Sequence, residues 1–190
     1  MAVGGGRTAT RENARLAYEQ GASLIVLTGN PKTGVTNDSI LKAVREIREE
    51  LSDGIALAAG KMHGAGIVSE MGKDIMSGKD IESFIEAGAD IILVPAPGTV
   101  PGITVEFVKS MADIVHKSGA MLMTTIGTSQ EGADPDIIRS IALNCKMAGA
   151  DIHHIGDAGY TGIAIPENIM AYSVAIRGIR HTYRRMAMKD

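Results

Sequence analysis

Five times along this chain a helical spacing of apolar residues runs into a glycine, then into a short and nearly continuous apolar run. The junction glycines are Gly21, Gly54, Gly88, Gly119 and Gly149, spaced 33, 34, 31 and 30 residues apart. A glycine just past a helix end takes the left-handed conformation that other residues adopt only at steric cost, so each junction reads as a turn from helix into strand. The apolar runs predict strands at 24–28, 55–59, 91–94, 121–126 and 152–155, with the unbroken hydrophobicity of parallel strands covered on both faces. Helix starts are marked as well. Asp134 before Pro135 reads as an N-cap with proline at the first helical position, and Ser77 with Asp80 and Thr104 with Glu106 place capping oxygens and early acidic charge at two others. Within Pro135–Ala148, residues Ile137, Ile138, Ile141, Ala142 and Cys145 form one predicted apolar stripe.

Strands alternating with helices imply an α/β fold with a parallel sheet and right-handed crossovers. The even repeat favours a TIM-barrel-like arrangement over an open doubly wound sheet. A full barrel needs eight units and about 250 residues, whereas this chain has 190. The expectation is therefore a partial barrel of five or six strands, the sixth ending at residues 2–5, in a single α/β domain over 1–190. Open edges of a parallel sheet invite pairing, which predicts a homo-oligomer.

The two ends of the predicted strands differ. Helix-to-strand links are two or three residues, but the strand-to-helix loops are long, polar and glycine-rich. They run through Gly29-Asn30-Pro31-Lys32-Thr33-Gly34, Gly60-Lys61-Met62-His63-Gly64-Ala65-Gly66, Pro95-Ala96-Pro97-Gly98-Thr99, 127–132 and 156–162. Ligand sites in parallel α/β folds lie at this end.

Composition narrows the function. A net charge of −3 and 3% aromatic residues give neither a basic footprint nor a stacking platform for nucleic acid. No apolar run approaches a membrane span, and Met-Ala-Val-Gly-Gly-Gly-Arg is too short and polar for a signal peptide. The single cysteine, Cys145, excludes an internal disulfide and reads as a small buried hydrophobe in a helix. These features predict a cytoplasmic protein.

Candidate chemistry gathers in the loops. Lys61 and His63 follow directly on a buried strand. A lysine there could form a Schiff base or polarise a carbonyl, and a nearby imidazole could move protons. Glu131 and Asp157 are loop carboxylates suited to acid or base work, with Glu70 and Asp74 behind them. Gly127, Thr128 and Ser129, with Gly156, Gly159 and Thr161, form the two last loops, which in barrels often grip a phosphate through backbone N–H groups. Gly4-Gly5-Gly6-Arg7-Thr8 is a third possible anion site or a simple terminus, and 64–78 is long enough for a lid. His153 and His154 are adjacent in a strand, so only one can face a lumen. One of them with His63 and Asp157 could supply a metal set, although no HxH or HExxH spacing occurs. Arg177, Arg180, His181, Arg184 and Arg185 give the last helix a solvated or intersubunit face.

The segments Arg7-Thr8-Ala9-Thr10-Arg11-Glu12-Asn13, Leu27-Thr28-Gly29-Asn30-Pro31, Gly60-Lys61-Met62-His63 and His153-His154-Ile155-Gly156-Asp157-Ala158-Gly159 resemble a bacterial family of TIM-barrel-like proteins. Some members carry the names haloacid-dehalogenase-like hydrolase or phosphonomutase-like protein. The resemblance covers the whole chain and implies longer members, with the N-terminal strands lacking here. It transfers no residue roles. Asp134-Pro135-Asp136 lacks the following Thr or Val and the strand context of the dehalogenase nucleophile, and the Lys-Cys-Gly-His type motif of the phosphonomutase and isocitrate lyase group is absent.

The leading expectation is a lyase or isomerase acting on a small phosphorylated carbonyl compound. Lys61 would serve as electrophile or Schiff-base lysine, His63, Asp157 and Glu131 as proton-transfer groups, and the two last loops as a phosphate grip. A metal-dependent hydrolase and a non-catalytic binding or assembly module derived from a barrel are the alternatives. The sequence names no cofactor.

Overall fold

The structure is a computed structural model that describes residues 5–29, 34–64, 72–157 and 162–188. Five parallel strands, β1 (Leu24–Leu27), β2 (Ala56–Gly60), β3 (Ile91–Pro95), β4 (Met121–Ile126) and β5 (Ile152–Ile155), pair in chain order. They curl into a half-barrel backed by α1 (Arg11–Glu19), α2 (Asn37–Leu51), α3 (Gly78–Glu86), α4 (Val105–Lys117), α5 (Pro135–Ala148) and α6 (Pro166–Met186). The partial-barrel expectation is met with five strands among the described residues. Of the expected sixth strand, Gly5 lies in a short 3-10 turn (Gly5–Arg7) and residues 2–4 fall outside the described set.

The predicted caps form at Ser77, Thr104 and Asp134, each of which accepts a backbone N–H at a helix start, and Ser77 with Asp80 closes a reciprocal capping box. Thr10 and Thr36 cap two further helices in the same way. Gly21, Gly88, Gly119 and Gly149 take positive φ after their helices. Gly54 does not. Ser52 carries the left-handed turn after α2 (φ 49°), and Gly54 ends a 3-10 turn instead. With such turns included, helix-to-strand links are three or four residues rather than two or three.

Two of the junctions share a clamp. Asp90 and Asp151 stand just before β3 and β5. Asp90 Oδ2 accepts from the Leu57 N–H and Arg48 Nη2, and Asp151 Oδ2 accepts from the Leu122 N–H and contacts His116 Nε2. Each carboxylate thus ties its strand to the preceding strand and to the helix that leads into that preceding strand, α2 for Asp90 and α4 for Asp151.

The main core lies between β1–β4 and α1–α4, with Val44, Leu57, Ile81, Phe84, Ile92, Val108, Val115 and Leu122 essentially sealed. Such side chains contribute roughly 1.5–3 kcal/mol each when fully buried. A second cluster joins Ile126, Ile138, Ile141, Ala142 and Cys145 to Ala171 and Tyr172 of α6. Ile137 is 46% exposed and leaves the predicted stripe, because its neighbour Ile138 already fills the position facing β4. On the concave face Ala58, Ile91, Leu93 and Met123 pack together with Met62 and Ile152. α6 breaks at Gly178 (φ 77°, ψ 161°), and the Ser173 and Thr182 hydroxyls meet at 3.1 Å across the bend. Arg177, Arg180, His181, Arg184 and Arg185 are exposed there. Among the described residues no helix is long and apolar enough to cross a membrane.

Candidate active site

Parallel register puts the C-terminal ends of all five strands on one rim, and the loops leaving it span eight to seventeen residues. Three of these ends carry the candidate groups. Lys61 follows β2 at 1% exposure, among the largest of the fully buried side chains. It is engaged by a partner, as are Glu131 and Asp157. A solvent-exposed loop lysine, the ordinary outcome at such a position, is thereby ruled out. His63, two residues on, is half-buried, and its Nδ1 is sealed from solvent without a hydrogen-bond partner among the described residues.

Close approaches of side chain to glycine shape the rim. A Cβ on Gly60 (φ 151°) would overlap the Leu93 carbonyl oxygen and lie 2.8 Å from the Leu93 carbonyl carbon, so β2 reaches β3 at this point only as glycine. Met62 crosses to β4, its Sδ 2.7 Å from where a Cβ on Gly127 would stand. At β5 a Cβ on Gly156 would overlap Glu131 Oε2. The carboxylate of the β4–α5 loop therefore lies directly over the end of β5, and Gly127 and Gly156 have packing reasons for being glycine that involve no anion. The Gly156 N–H is also taken, donating to the Ile126 carbonyl at 2.8 Å.

Glu131 is held there from behind. Asn168, 2% exposed in the first turn of α6, donates through Nδ2 to the Ala133 carbonyl (2.9 Å) and the Glu131 carbonyl (3.3 Å). Thr128 bridges loops, its hydroxyl 3.2 Å from the Thr99 carbonyl and 2.5 Å from Gln130 Oε1, so its one proton serves a protein acceptor.

β5 divides its histidines as alternation requires. His153 turns to the helices, its Nδ1 3.0 Å from the Tyr172 hydroxyl, where burial and then the Arg177 charge lower its pKa. It cannot join His63 and Asp157 in one ligand set. Burial raises the Cys145 thiol pKa and drives the Tyr172 hydroxyl pKa far above its ordinary range, which makes this layer structural. His154 faces the concave side, its pKa lowered by burial and its Nδ1 sealed and unpartnered among the described residues.

The structure thus brings Lys61, His63, Glu131, Asp157, Gly127, Thr128, Ser129 and Gly156 to one rim. Gly159 and Thr161, Glu70, and residues 65–71 of the proposed lid at 64–78 lie outside the described residues, as does Gly4 of the third anion motif. Sequence reasoning missed Met62 and Asn168, and it offered His154 only as one of an alternating pair, either of which could join a metal set. Cavities elsewhere among the described residues include one of about 510 Å³ between α1, β1 and α2 and one of about 430 Å³ between the first turns of α5 and α6. Neither contains Lys61, and the first sits at the unpaired edge of β1.

A family model described as a domain of unknown function, DUF7916, matches residues 1–189. A Haemophilus influenzae protein named "Putative N-acetylmannosamine-6-phosphate 2-epimerase" is 34% identical over 89 residues, 47% of this chain and 33% of that protein. Among solved structures, "a putative lyase/mutase from Burkholderia cenocepacia J2315" aligns over 90% of this chain and 63% of its own, with TM-score 0.65 and 18% identity. "A putative phosphonomutase" from the same organism aligns over 89% and 72%, with TM-score 0.63 and 16% identity. "A putative deoxyribose-phosphate aldolase from Coccidioides immitis" aligns over 92% and 62%, with TM-score 0.64 and 14% identity. At these identities the structures establish the fold. The chain spans about a third of the curated relative's length. The phosphonomutase side of the resemblance is matched in fold, and none of these four carries a haloacid-dehalogenase name.

Proposed function

This chain belongs to the DUF7916 family, and on that premise we propose that it is an enzyme, a lyase or isomerase, acting on a small phosphorylated carbonyl compound at the C-terminal rim of its half-barrel. The observation that carries the reading is Lys61, an amino group sealed at the end of β2 on the rim where Glu131 is fixed over Gly156. Sequestering a lysine in a loop is unfavourable unless the group is used or firmly paired.

The chemistry follows from the groups present. Lys61 polarises the substrate carbonyl, or adds to it and expels water to form a Schiff base. Either course acidifies the adjacent carbon. Glu131 removes the proton there, and His63 or Asp157 returns one. Return to the opposite face inverts the centre, whereas carbon–carbon cleavage in place of proton removal gives a lyase. The phosphate is gripped by backbone amides of the last two loops, at Gly127, Thr128 and Ser129 with Gly159 and Thr161, while Gly156, whose N–H is bonded to the Ile126 carbonyl, drops out of that grip. The Glu131 carboxylate over Gly156 favours the 127–129 side for the anion and leaves the β5 side to the carbon skeleton.

The names of the epimerase, aldolase and mutase relatives support this class of substrate. The test is turnover of a panel of sugar phosphates, beginning with N-acetylmannosamine 6-phosphate, together with borohydride trapping and peptide mapping. A reduced adduct on the peptide containing Lys61, or loss of turnover in Lys61→Ala without an adduct, is expected. Absence of an adduct with full activity in Lys61→Ala removes the lysine from the mechanism.

A further inference from the structure

We infer that His154 is a ligand-contacting residue of the rim, its ring meeting an uncharged hydroxyl or carbonyl group of the bound compound rather than its phosphate. The inference rests on the rim site proposed above and adds a residue and a substrate feature to it.

Three observations converge on this histidine. It lies on the concave face. Alternation along β5 sets His153 against Tyr172 on the helix side, while Ile152, two residues before His154, packs into the concave cluster with Met123 and Met62. Next, its Nδ1 is buried without a partner among the described residues, whereas the neighbouring His153 is satisfied. Its partner in register, Thr125, has already committed its hydroxyl proton to the Val94 carbonyl at 3.0 Å. A sealed polar atom left without a partner is disfavoured in the empty fold, a cost that packing alone does not explain; the residue as a whole is only half-buried, which leaves it open to a bound group. Finally, the rim beside it is set against an anion. Gly156, two residues on, lies beneath the Glu131 carboxylate, and burial keeps the His154 ring neutral. The Glu131 carboxylate repels a phosphate, whereas the neutral imidazole hydrogen-bonds a hydroxyl or carbonyl.

Two measurements on the intact chain test this. The first needs no ligand. A residue kept for contact with a ligand stabilises nothing in the empty site, so His154→Leu raises Tm by about 2–4 °C. His153→Leu, which breaks the Tyr172 bond, lowers it. A fall in His154→Leu comparable to that in His153→Leu shows that His154 is structural and overturns the inference. The second is calorimetric titration with N-acetylmannosamine 6-phosphate, free N-acetylmannosamine and inorganic phosphate. His154→Gln weakens the sugar phosphate by about tenfold and leaves inorganic phosphate unchanged, as loss of a contact to a neutral group requires. Unchanged sugar-phosphate affinity in His154→Gln overturns it. If the wild type binds none of the three, the proposed substrate class falls, and the Tm pair still decides the role of His154.

Discussion

Gly156→Ala tests the geometry of the rim most sharply. The new Cβ overlaps Glu131 Oε2, lies 2.8 Å from Glu131 Cδ and stands 2.9 Å from the Ile126 carbonyl oxygen. These clashes differ in kind. The carboxylate ends a flexible side chain and can swing aside, giving up its preferred rotamer for about 0.5–1.5 kcal/mol. The Ile126 oxygen belongs to β4 and already accepts the Gly156 N–H at 2.8 Å, so it yields only by a small shift of the strand end. Together they amount to about 1–2 kcal/mol, toward the low end of the usual range for overpacking. In a chain of this size that lowers Tm by roughly 2–8 °C. The diagnostic is a double-mutant cycle in urea. In a Glu131→Ala background the first clash is gone, so Gly156→Ala there should cost less by about 1 kcal/mol. An equal cost in both backgrounds, or none in the wild type, would refute the placement of Glu131 over β5.

Four further outcomes follow. Gly60→Ala meets only backbone, at the Leu93 carbonyl, so no rotamer relieves it; a loss of about 3 kcal/mol or more, or failure to fold, is expected in urea melts. Asp134→Ala removes the acceptor for the Asp136 and Ile137 N–H groups and lowers stability by about 0.5–2 kcal/mol by the same measurement. His153 and His154 both have pKa values lowered in the fold, so the unfolded chain takes up protons near pH 6.5 that the native state refuses; stability therefore falls as pH drops through about 6.5, and His153→Gln makes the decline in Tm between pH 7 and 5 shallower. Burial opposes ionisation of Asp151, but the Leu122 N–H and His116 outweigh it and hold the carboxyl below the usual range; the stability it contributes is present at neutral pH and lost near pH 4 and below, and Asp151→Asn flattens that acid limb of the Tm profile.

The fold was largely legible because its signals are local. The Gly88 and Gly149 turns, the Asp134-Pro135 start and the apolar strand runs each follow from a residue's own backbone preferences, and each stands where the pattern placed it. Gly54 misled because Ser52 took the left-handed turn two residues earlier, with its carbonyl held by the Arg48 guanidinium, an arrangement invisible to spacing. Ile137 and Ile138 are chemically alike, and only the direction of β4 decides which is buried. The site was legible as a set of loops but not as an arrangement. Burial of Lys61 depends on the surrounding loops, and the glycines read as an anion cradle, Gly127 and Gly156, proved to be where Met62 and Glu131 lie. Alternation announced that His153 and His154 would differ, while the Tyr172 hydroxyl that settles which is which lies 19 residues away.

A crystal structure of the protein soaked with N-acetylmannosamine 6-phosphate tests the central claim most directly. The account predicts density on the C-terminal rim, with the phosphate over 127–129 and the carbon skeleton between Lys61, Glu131 and His154. Density confined to the cavity between α1, β1 and α2, with the rim empty, would contradict it.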